Sequence, residues 1–362
     1  MNIKIFVSKL ENKMNFNKVL KIQNKVISNS SPTFIIAEAG VNHGGDMKVA
    51  KRLIDLAADS GADAVKFQTF KSEDLVLKSV AKAPYQTRTT DKKESQLEML
   101  KKLEVSKEQN LELKRYCEDK KIIFLTTPFD EKSLDEIDEL DLPAYKIAST
   151  DTTNLPFLKR VAKKGKPVFL STGMSYLSEI EMALETIYEH NQNVVLLQCT
   201  ANYPIRNSEA NLSVINTFKN NFDVLVGFSD HTVGVGAAAF AIPMGAKVVE
   251  KHFTIDKELS GPDHRASLSP DELYRFVELV REVDEYMGSS IKKPNLSETR
   301  TRSTLQKCLV ARCRINKGDI FTEENLVAKR TGGIGISPIY YQDVVGEVAH
   351  KEYAEDEVID CD

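Results

Sequence analysis

Residues 224–254 carry the sequence VLVGFSDHTVGVGAAAFAIPMGAKVVEKHFT. Its two ends, 224–231 and 247–254, are apolar, β-branched runs, and each breaks at a histidine. Short runs that are apolar almost throughout are typical of parallel strands buried on both faces. The stretch therefore predicts two successive parallel strands with one intervening crossover, and a histidine at the carboxyl end of each strand.

Six similar runs precede these two, and segments with helical periodicity or capping signals separate them. Eight strand–helix alternations over about 250 residues favour a (β/α)₈ TIM barrel, with an open doubly wound sheet as the alternative. The six earlier runs are FIIAEAG (34–40), AVKFQTF (64–70), IIFLTTPF (122–129), AYKIAST (144–150), PVFLSTGM (167–174) and VVLLQCT (194–200).

A polar residue stands near the carboxyl end of every run. An open sheet gathers such residues mainly where its strand order reverses, whereas a closed barrel gathers all eight around one mouth. The distribution therefore favours the barrel, and neither a GxGxxG motif after the first run nor a P-loop is present. The eight residues are Glu38, Gln68, Thr127, Ser149, Ser171, Thr200, Asp230 and His252.

The barrel pattern spans 34–288 and ends with the helical stretch 269–288. Residues 289–304 are polar and predict a linker, and 305–362 form a second, small unit with turn chemistry at Lys317–Asp319. Residues 1–33 form an N-terminal extension, for which we expect a hairpin or an extended strand that caps the bottom of the barrel.

Charge and composition exclude several classes of protein. Of the 362 residues 28% are charged, the net charge is −4, and no long basic block is present, which argues against a nucleic-acid partner. No apolar run approaches the length of a transmembrane helix, so no membrane partner is expected. Five cysteines without a paired pattern indicate reduced thiols and a cytoplasmic location.

The two strand-end histidines, His231 and His252, lie about one βα repeat apart and would project into the same mouth. Two neutral imidazoles there suit a divalent metal such as Mn, Fe, Co or Zn, with positions left open for water or a substrate oxygen. The alternative is that they only form hydrogen bonds within the loops.

Lys66 and Lys146 interrupt otherwise apolar strands. A lysine that points into a barrel is costly unless it meets an anion, so the pair predicts a phosphate or carboxylate site together with nearby hydroxyls. Alternatively, each lysine points outward and extends between helices. A Schiff-base aldolase lysine is a further alternative on this fold.

Three carboxylates are candidates for acid–base chemistry. Glu38 ends the first predicted strand, Asp151 follows the fourth, and Glu250 precedes His252. Carboxylates close to lysines and a metal are tuned by both. For Asp151 the alternative is an N-cap of the helix that begins near Asn154.

These residues lie in motifs that resemble the sialic acid synthase family, and the tail KGDIFTEENLVAKRTGGIGISP resembles that family's antifreeze-like (SAF) domain. The resemblance covers about 34–360 and rests on ten motifs in order. The motifs are IIAEAGVNHGGD, AVKFQTF, APYQ with ESQLEMLKKLE, TTPFD, YKIAS, LSTGM, CTANYP, GFSDHT, EKHFT and SGPDH.

The resemblance implies a reaction and its cofactor. Phosphoenolpyruvate would condense with N-acetylmannosamine and water to give N-acetylneuraminate and phosphate, with cleavage of the C–O bond. A divalent metal, Mn²⁺ in the first place and Mg²⁺ or Co²⁺ as alternatives, would polarise the sugar aldehyde.

The family's site residues carry over position by position. His231 and His252 match metal ligands, and Glu38, Asp151 and Glu250 match catalytic positions. Arg330 matches an arginine that the small domain donates to the partner's active site in a domain-swapped homodimer. Residues that match substrate-binding positions are Lys66, Gln68, Thr127, Lys146, Ser149, Ser171, Tyr203, Ser229 and Asp263.

Three positions depart from the family pattern. Asp151 stands where many bacterial members have glutamate, Ala201 replaces an asparagine that contacts phosphoenolpyruvate, and Thr331 replaces a proline. The first departure bears on the choice of sugar. The related alternative is an N,N'-diacetyllegionaminate or pseudaminate synthase that uses a 2,4-diacetamido-trideoxyhexose. A non-catalytic barrel that binds sugar acids is a further alternative.

Overall fold

The computed structural model describes residues 14–83, 86–91 and 93–360. The chain divides into two compact units, Met1–Gly288 and Ser289–Asp362.

The first unit contains eight parallel strands, and each lies within one of the eight predicted runs. They follow one another around a single sheet in the order β5-β4-β3-β10-β9-β8-β7-β6. The prediction of a (β/α)₈ barrel is confirmed. Among the described residues, no backbone pairing joins β5 to β6, so the barrel is nearly closed. The strands are β3 (Phe34–Gly40), β4 (Ala64–Thr69), β5 (Ile123–Pro128), β6 (Tyr145–Ile147), β7 (Val168–Ser171), β8 (Val194–Cys199), β9 (Leu225–Asp230) and β10 (Val248–His252).

Helices follow the strands, and several begin at a residue that caps their free amide groups. The Asp46 side chain accepts a hydrogen bond from the amide of Lys48 and so caps the first helix. The helices of this unit are α1 (Met47–Asp59), α2 (Ser72–Leu75), α3 (Gln86–Thr89), α4 (Gln96–Lys101), α5 (Lys107–Asp119), α6 (Glu131–Asp138), α7 (Leu155–Lys163), α8 (Leu177–Tyr188), α9 (Val214–Asn221), α10 (Gly236–Ala241) and α11 (Pro270–Met287).

Alternation along each strand decides which side chains enter the barrel. In β10, Val248 packs in the interior cluster and Val249 in the cluster between strands and helices. Because side chains alternate with a period of two, Glu250 and His252 then point inward and Lys251 outward. The same alternation places Lys66 of β4 on the inner side, because Ala64, two residues earlier, packs in the interior cluster.

A hairpin closes the amino-terminal end of the barrel. Strands β1 (Val19–Ile22) and β2 (Lys25–Ser28) pair antiparallel. Leu20, Ile22 and Ile27 are fully buried and pack in the same cluster as the lowest inward residues of the barrel strands. The expected hairpin at the bottom of the barrel is confirmed for the described residues, whereas residues 1–13 lie outside them.

The second unit has its own small core. Strands β11 (Lys307–Ala311) and β12 (Leu326–Arg330) pair antiparallel, and the predicted turn places Gly318 at φ +92°. Within 289–304, which the sequence predicted to be a linker, the structure has most of a helix, α12 (Leu296–Leu305). It begins at a capping box between Asn295 and Glu298 and buries none of its residues. A short helix, α13 (Tyr341–Val344), follows later in the unit.

Among the described residues, no helix combines the length and the apolar character that a membrane crossing would require.

Candidate active site

One cavity of about 410 Å³ lies at the carboxyl ends of the barrel strands. It is lined by most of the residues that the sequence singled out, so the tertiary structure brings them together in one place. The predicted residues that line it are Glu38, Lys66, Gln68, Thr127, Lys146, Ser149, Ser171, Tyr203, Ser229, His231, Glu250, His252 and Asp263.

Both lysines point into this cavity, and the alternative that they extend outward between helices is wrong. The ammonium group of Lys66 lies 2.8 Å from Oε2 of Glu38 and donates to Oγ1 of Thr127 at 3.0 Å. That of Lys146 lies 3.4 Å from Oε1 of Glu250. Both lysines are almost completely buried, at 2% and 3% exposed. Two buried cations beside a cavity favour an anionic ligand.

Two of the three carboxylates that line the cavity, Glu38 and Glu250, have different environments; the third is Asp263. Burial raises the pKa of Glu38 to about 7, although Lys66 acts against it. Burial also acts to raise the pKa of Glu250, but Lys146 and Lys66 outweigh this and lower it. When the pKa values of two neighbouring acids are shifted apart in this way, one acid can exchange a proton near neutral pH while the other stays ionised. With its pKa of about 7, Glu38 fits the first behaviour, and Glu250 fits the second.

The two histidines lie side by side at the ends of β9 and β10, with ring centroids 5.5 Å apart. Nδ1 of His231 lies 2.7 Å from the carbonyl oxygen of Thr200. Because a carbonyl only accepts, Nδ1 carries the hydrogen, and Nε2 of the neutral imidazole keeps its lone pair, as in metal-ligating histidines. Nδ1 of His252 is buried without a hydrogen-bond partner among the described residues. The pair therefore fits a metal ion.

The described residues contain no cluster of three or more histidine, cysteine, aspartate or glutamate side chains arranged for a metal. Two imidazoles would thus supply most of the protein ligands, and water or substrate oxygens would complete the coordination. The ring of Tyr203 packs over His231 at a centroid distance of 4.1 Å and restricts how that imidazole can turn.

Hydroxyl groups complete the polar lining. Ser229 donates to Oε1 of Glu250 at 3.1 Å, and Ser149 accepts from the amide of Gly173 at 2.9 Å. The hydroxyl of Ser171 is buried and lacks a hydrogen-bond partner within the described part of the chain. An unsatisfied buried hydroxyl beside two lysines is suited to a ligand oxygen.

Gly40 makes room for this arrangement. It has φ +53°, and a Cβ there would lie 3.2 Å from Nε2 of Gln68 and 3.3 Å from Oε1 of Glu38. Gln68 donates to that same Oε1 at 3.2 Å. A side chain at position 40 would therefore strain the backbone and displace the Glu38 carboxylate.

Asp151 does not line the cavity. It is buried in a short 3₁₀ turn, where Oδ2 accepts from the hydroxyl of Thr150 and Oδ1 from the side-chain amide of Asn154. The N-cap of α7 is Asn154 itself, whose side chain accepts from the amide of Phe157. The carboxylate of Asp151 thus orients the capping residue Asn154 and stabilises the 3₁₀ turn. Its neighbour Thr150 lines the cavity.

Two of the eight polar strand-end residues do not line the cavity. Thr200 contributes its carbonyl to His231, and Asp230 lies on the outer side of the sheet, since Ser229 and His231 on either side of it point inward.

Ala201 lines the cavity, whereas Asn202, one position along, is exposed. Arg330 is exposed at the end of β12, and its contribution to a partner's site stays a prediction.

A buried ion pair behind the histidines was not predicted from the sequence. Nζ of Lys251 lies 2.9 Å from Oδ2 of Asp230 and donates to the carbonyl of Thr232 at 2.6 Å. Lys251 is 1% exposed. The pair ties the ends of β9 and β10 together on the outer face of the sheet, while His231 and His252 project from its inner face.

Comparison with known proteins identifies both units. The sequence model of the NeuB family matches residues 53–292, which is more than half of the chain. The model of the SAF domain matches residues 306–360.

Three relatives are informative. The N,N'-diacetyllegionaminic acid synthase of Campylobacter jejuni is 48% identical, over 90% of this chain and 98% of its own. The synthase of the same name from Legionella pneumophila is 42% identical, over 88% and 90%. The solved N-acetylneuraminic acid synthetase of Leptospira borgpetersenii is 35% identical and superimposes with a TM-score of 0.71, covering 80% of this chain and 98% of its own.

Proposed function

Because this chain belongs to the NeuB family, we propose that it is an N,N'-diacetyllegionaminate synthase. It would condense phosphoenolpyruvate with 2,4-diacetamido-2,4,6-trideoxymannose and water, giving a nine-carbon 2-keto acid and phosphate. The observation that carries the proposal is that two buried lysines, two histidines and two carboxylates of unlike pKa share one cavity.

The choice of sugar departs from the expectation drawn from the sequence, which placed N-acetylmannosamine first. Two relatives named as diacetyllegionaminic acid synthases are 48% and 42% identical, whereas the solved sialic acid synthetase is 35% identical. These identities favour the diacetamido sugar. N-acetylmannosamine is kept as the second candidate because of that solved structure.

Phosphoenolpyruvate would bind against the lysines. Its phosphate and carboxylate are anions, and Lys66 and Lys146 are the buried cations of the cavity. Since both lysines already face Glu38 and Glu250, the pocket balances its own charge before the substrate arrives. The hydroxyls beside them would orient the anion by hydrogen bonds. These hydroxyls belong to Thr127, Ser149, Ser171 and Ser229.

Glu38 is proposed to handle the proton of the water that adds to C2 of phosphoenolpyruvate. Its pKa of about 7 allows it to hold and release a proton at neutral pH. Glu250 is proposed to stay ionised and to orient Ser229 and Lys146. The raised pKa of Lys66, which follows because Glu250 and Glu38 outweigh its burial, disfavours it as a Schiff-base nucleophile.

A divalent metal is proposed at His231 and His252, with Mn²⁺ as the first choice and Mg²⁺ or Co²⁺ as alternatives. When bound, it would act as a Lewis acid on the sugar aldehyde. The chain's own part is to present the two imidazole lone pairs, with Thr200 fixing the tautomer of His231.

The first prediction concerns the acceptor sugar. With phosphoenolpyruvate and Mn²⁺, the purified protein is expected to release phosphate faster with 2,4-diacetamido-2,4,6-trideoxymannose than with N-acetylmannosamine. Phosphate release and mass spectrometry of the keto acid provide the readout. Turnover that prefers N-acetylmannosamine would make the protein a sialic acid synthase. When pyruvate is supplied in place of phosphoenolpyruvate, trapping of a lysine–pyruvate adduct by borohydride would instead support the aldolase alternative.

The second prediction concerns the metal. Alanine at either His231 or His252 should lower bound Mn²⁺, measured by elemental analysis after gel filtration, from about one per chain to near zero. The reason is that loss of one of two imidazoles leaves a single protein ligand. His190→Ala is the matched control because His190 is an exposed histidine. Unchanged metal content in both site variants would show that the metal lies elsewhere.

A further inference from the structure

The cavity has a second part that the reaction described above does not use. Apolar side chains from the loops after β3, β4 and β5, three adjacent strands, line it on that side. They form a hydrophobic cluster of their own, distinct from the barrel core. We call six of them the apolar wall, namely Phe70, Leu75, Val76, Met99, Leu100 and Phe129.

The wall is not only the internal packing of a loop. Leu75 and Val76 are half-buried, and both line the cavity, so they present apolar surface to whatever occupies it. Phosphate, carboxylate and metal ions gain no binding energy from contact with an apolar surface. An apolar surface next to convergent polar groups is typical of a pocket that binds a partly apolar ligand.

Substrate geometry shows which part of the sugar would reach this wall. The aldehyde carbon, C1, must lie at the polar strand ends, beside the histidines and the lysines. The chain from C4 to C6 therefore extends away from the strand ends, towards the loops. The loops after β4 and β5 supply most of the apolar side chains that line the cavity, so the apolar groups of the C4–C6 end are assigned to this wall.

The two sugar classes differ most at that end. N-acetylmannosamine has hydroxyls at C4 and C6, which would lose their water and find no partner on an apolar wall. The diacetamido-trideoxy sugar has an acetamido methyl at C4 and a methyl in place of the C6 hydroxymethyl. Both of these methyl groups gain from leaving water.

We propose that the apolar wall determines the sugar specificity of this protein by binding the C6 methyl and the C4 acetamido methyl of a 6-deoxy, 4-acetamido sugar. The inference rests on the proposed function and adds to it the residues that choose the substrate. Leu75 and Val76 are specificity residues, and the chemical steps proceed without them.

The test compares two sugars that differ only at C6, 2,4-diacetamido-2,4,6-trideoxymannose and 2,4-diacetamido-2,4-dideoxymannose. The wild type should favour the 6-deoxy sugar in kcat/KM by about ten-fold or more. Val76→Thr keeps the shape of the side chain and replaces a methyl group by a hydroxyl. Leu75→Asn keeps the shape approximately and replaces the two terminal methyl groups by an amide. Each should reduce the preference by about ten-fold through KM for the sugar, with KM for phosphoenolpyruvate within about two-fold.

Matched controls lie in the same loop. Leu77→Asn and Val80→Thr make the same chemical changes at side chains that are 75% and 44% exposed and do not line the cavity. Both controls should keep the wild-type preference.

The outcomes separate the two levels of the proposal. A wild type that favours the 6-deoxy sugar, with Val76→Thr and Leu75→Asn both leaving the preference within about two-fold, would overturn the role of the wall while leaving the proposed function intact. A wild type that releases no phosphate with either sugar would overturn the proposed function and the wall's role with it. Loss of preference in the controls as well would show a general effect of the loop and would also overturn the inference.

Discussion

Lys66→Met is expected to lower kcat/KM for phosphoenolpyruvate by about 10³-fold, because it removes one of the two buried cations proposed to bind the anion. The Lys66 ammonium lies 2.8 Å from Glu38 and 3.8 Å from Glu250. Without it, Glu38 would hold its proton more tightly, since burial already raises its pKa to about 7. Both substrate binding and proton exchange should therefore suffer. Steady-state phosphate release at varied phosphoenolpyruvate gives the measurement.

Two controls accompany this variant. Lys48→Met removes an exposed lysine of α1 and should leave kcat/KM unchanged. The far-ultraviolet circular dichroism spectrum of Lys66→Met should match that of the wild type and so show an intact barrel. If the variant kept kcat/KM within about ten-fold of the wild type, Lys66 would not be a principal anion-binding residue.

Lys251→Met should lower the free energy of unfolding by about 3–5 kcal/mol, because it leaves Asp230 buried without its counter-charge. Lys251 and Asp230 are each 1% exposed and lie 2.9 Å apart. For a unit of this size, with an unfolding entropy of about 2.1 cal/mol/K per residue, the loss corresponds to a fall in Tm of roughly 5–8 °C. Urea unfolding followed by circular dichroism measures it directly.

A second substitution shows whether the penalty comes from the unpaired charge. Asp230→Asn added to Lys251→Met should recover part of the stability, since the amide can still accept from Thr232 without a buried charge. Lys159→Met breaks an exposed ion pair with Glu189 and should cost less than about 1 kcal/mol. Equal losses in Lys251→Met and Lys159→Met would mean that the buried pair contributes no more than a surface pair.

Local patterns were sufficient to predict the fold. Each barrel strand is a short apolar run, and such a run records burial on both faces without reference to the rest of the chain. The polar residue near the end of each run then pointed to one mouth. Most predicted site residues line the cavity for this reason, including both lysines and both histidines.

The sequence did not determine which strand-end residues face inward. Asp230 and His231 are neighbours, and only His231 enters the cavity, because successive side chains of a strand point to opposite faces. Asp230 pairs with Lys251 across two strands instead. Asp151 likewise stays outside the cavity. It lies in a 3₁₀ turn, where its side chain accepts hydrogen bonds from Thr150 and Asn154.

The sequence by itself determined the element order, the barrel, and the residue types available for chemistry, because strand burial and turn formation are local properties of the chain. Only the tertiary structure decided the difference in pKa between Glu38 and Glu250, the buried pair of Asp230 and Lys251, and the apolar wall. Each of these depends on side chains that are far apart in sequence and meet only when the barrel forms. Desolvation and charge act over a few ångströms in space, and no sequence pattern records those distances.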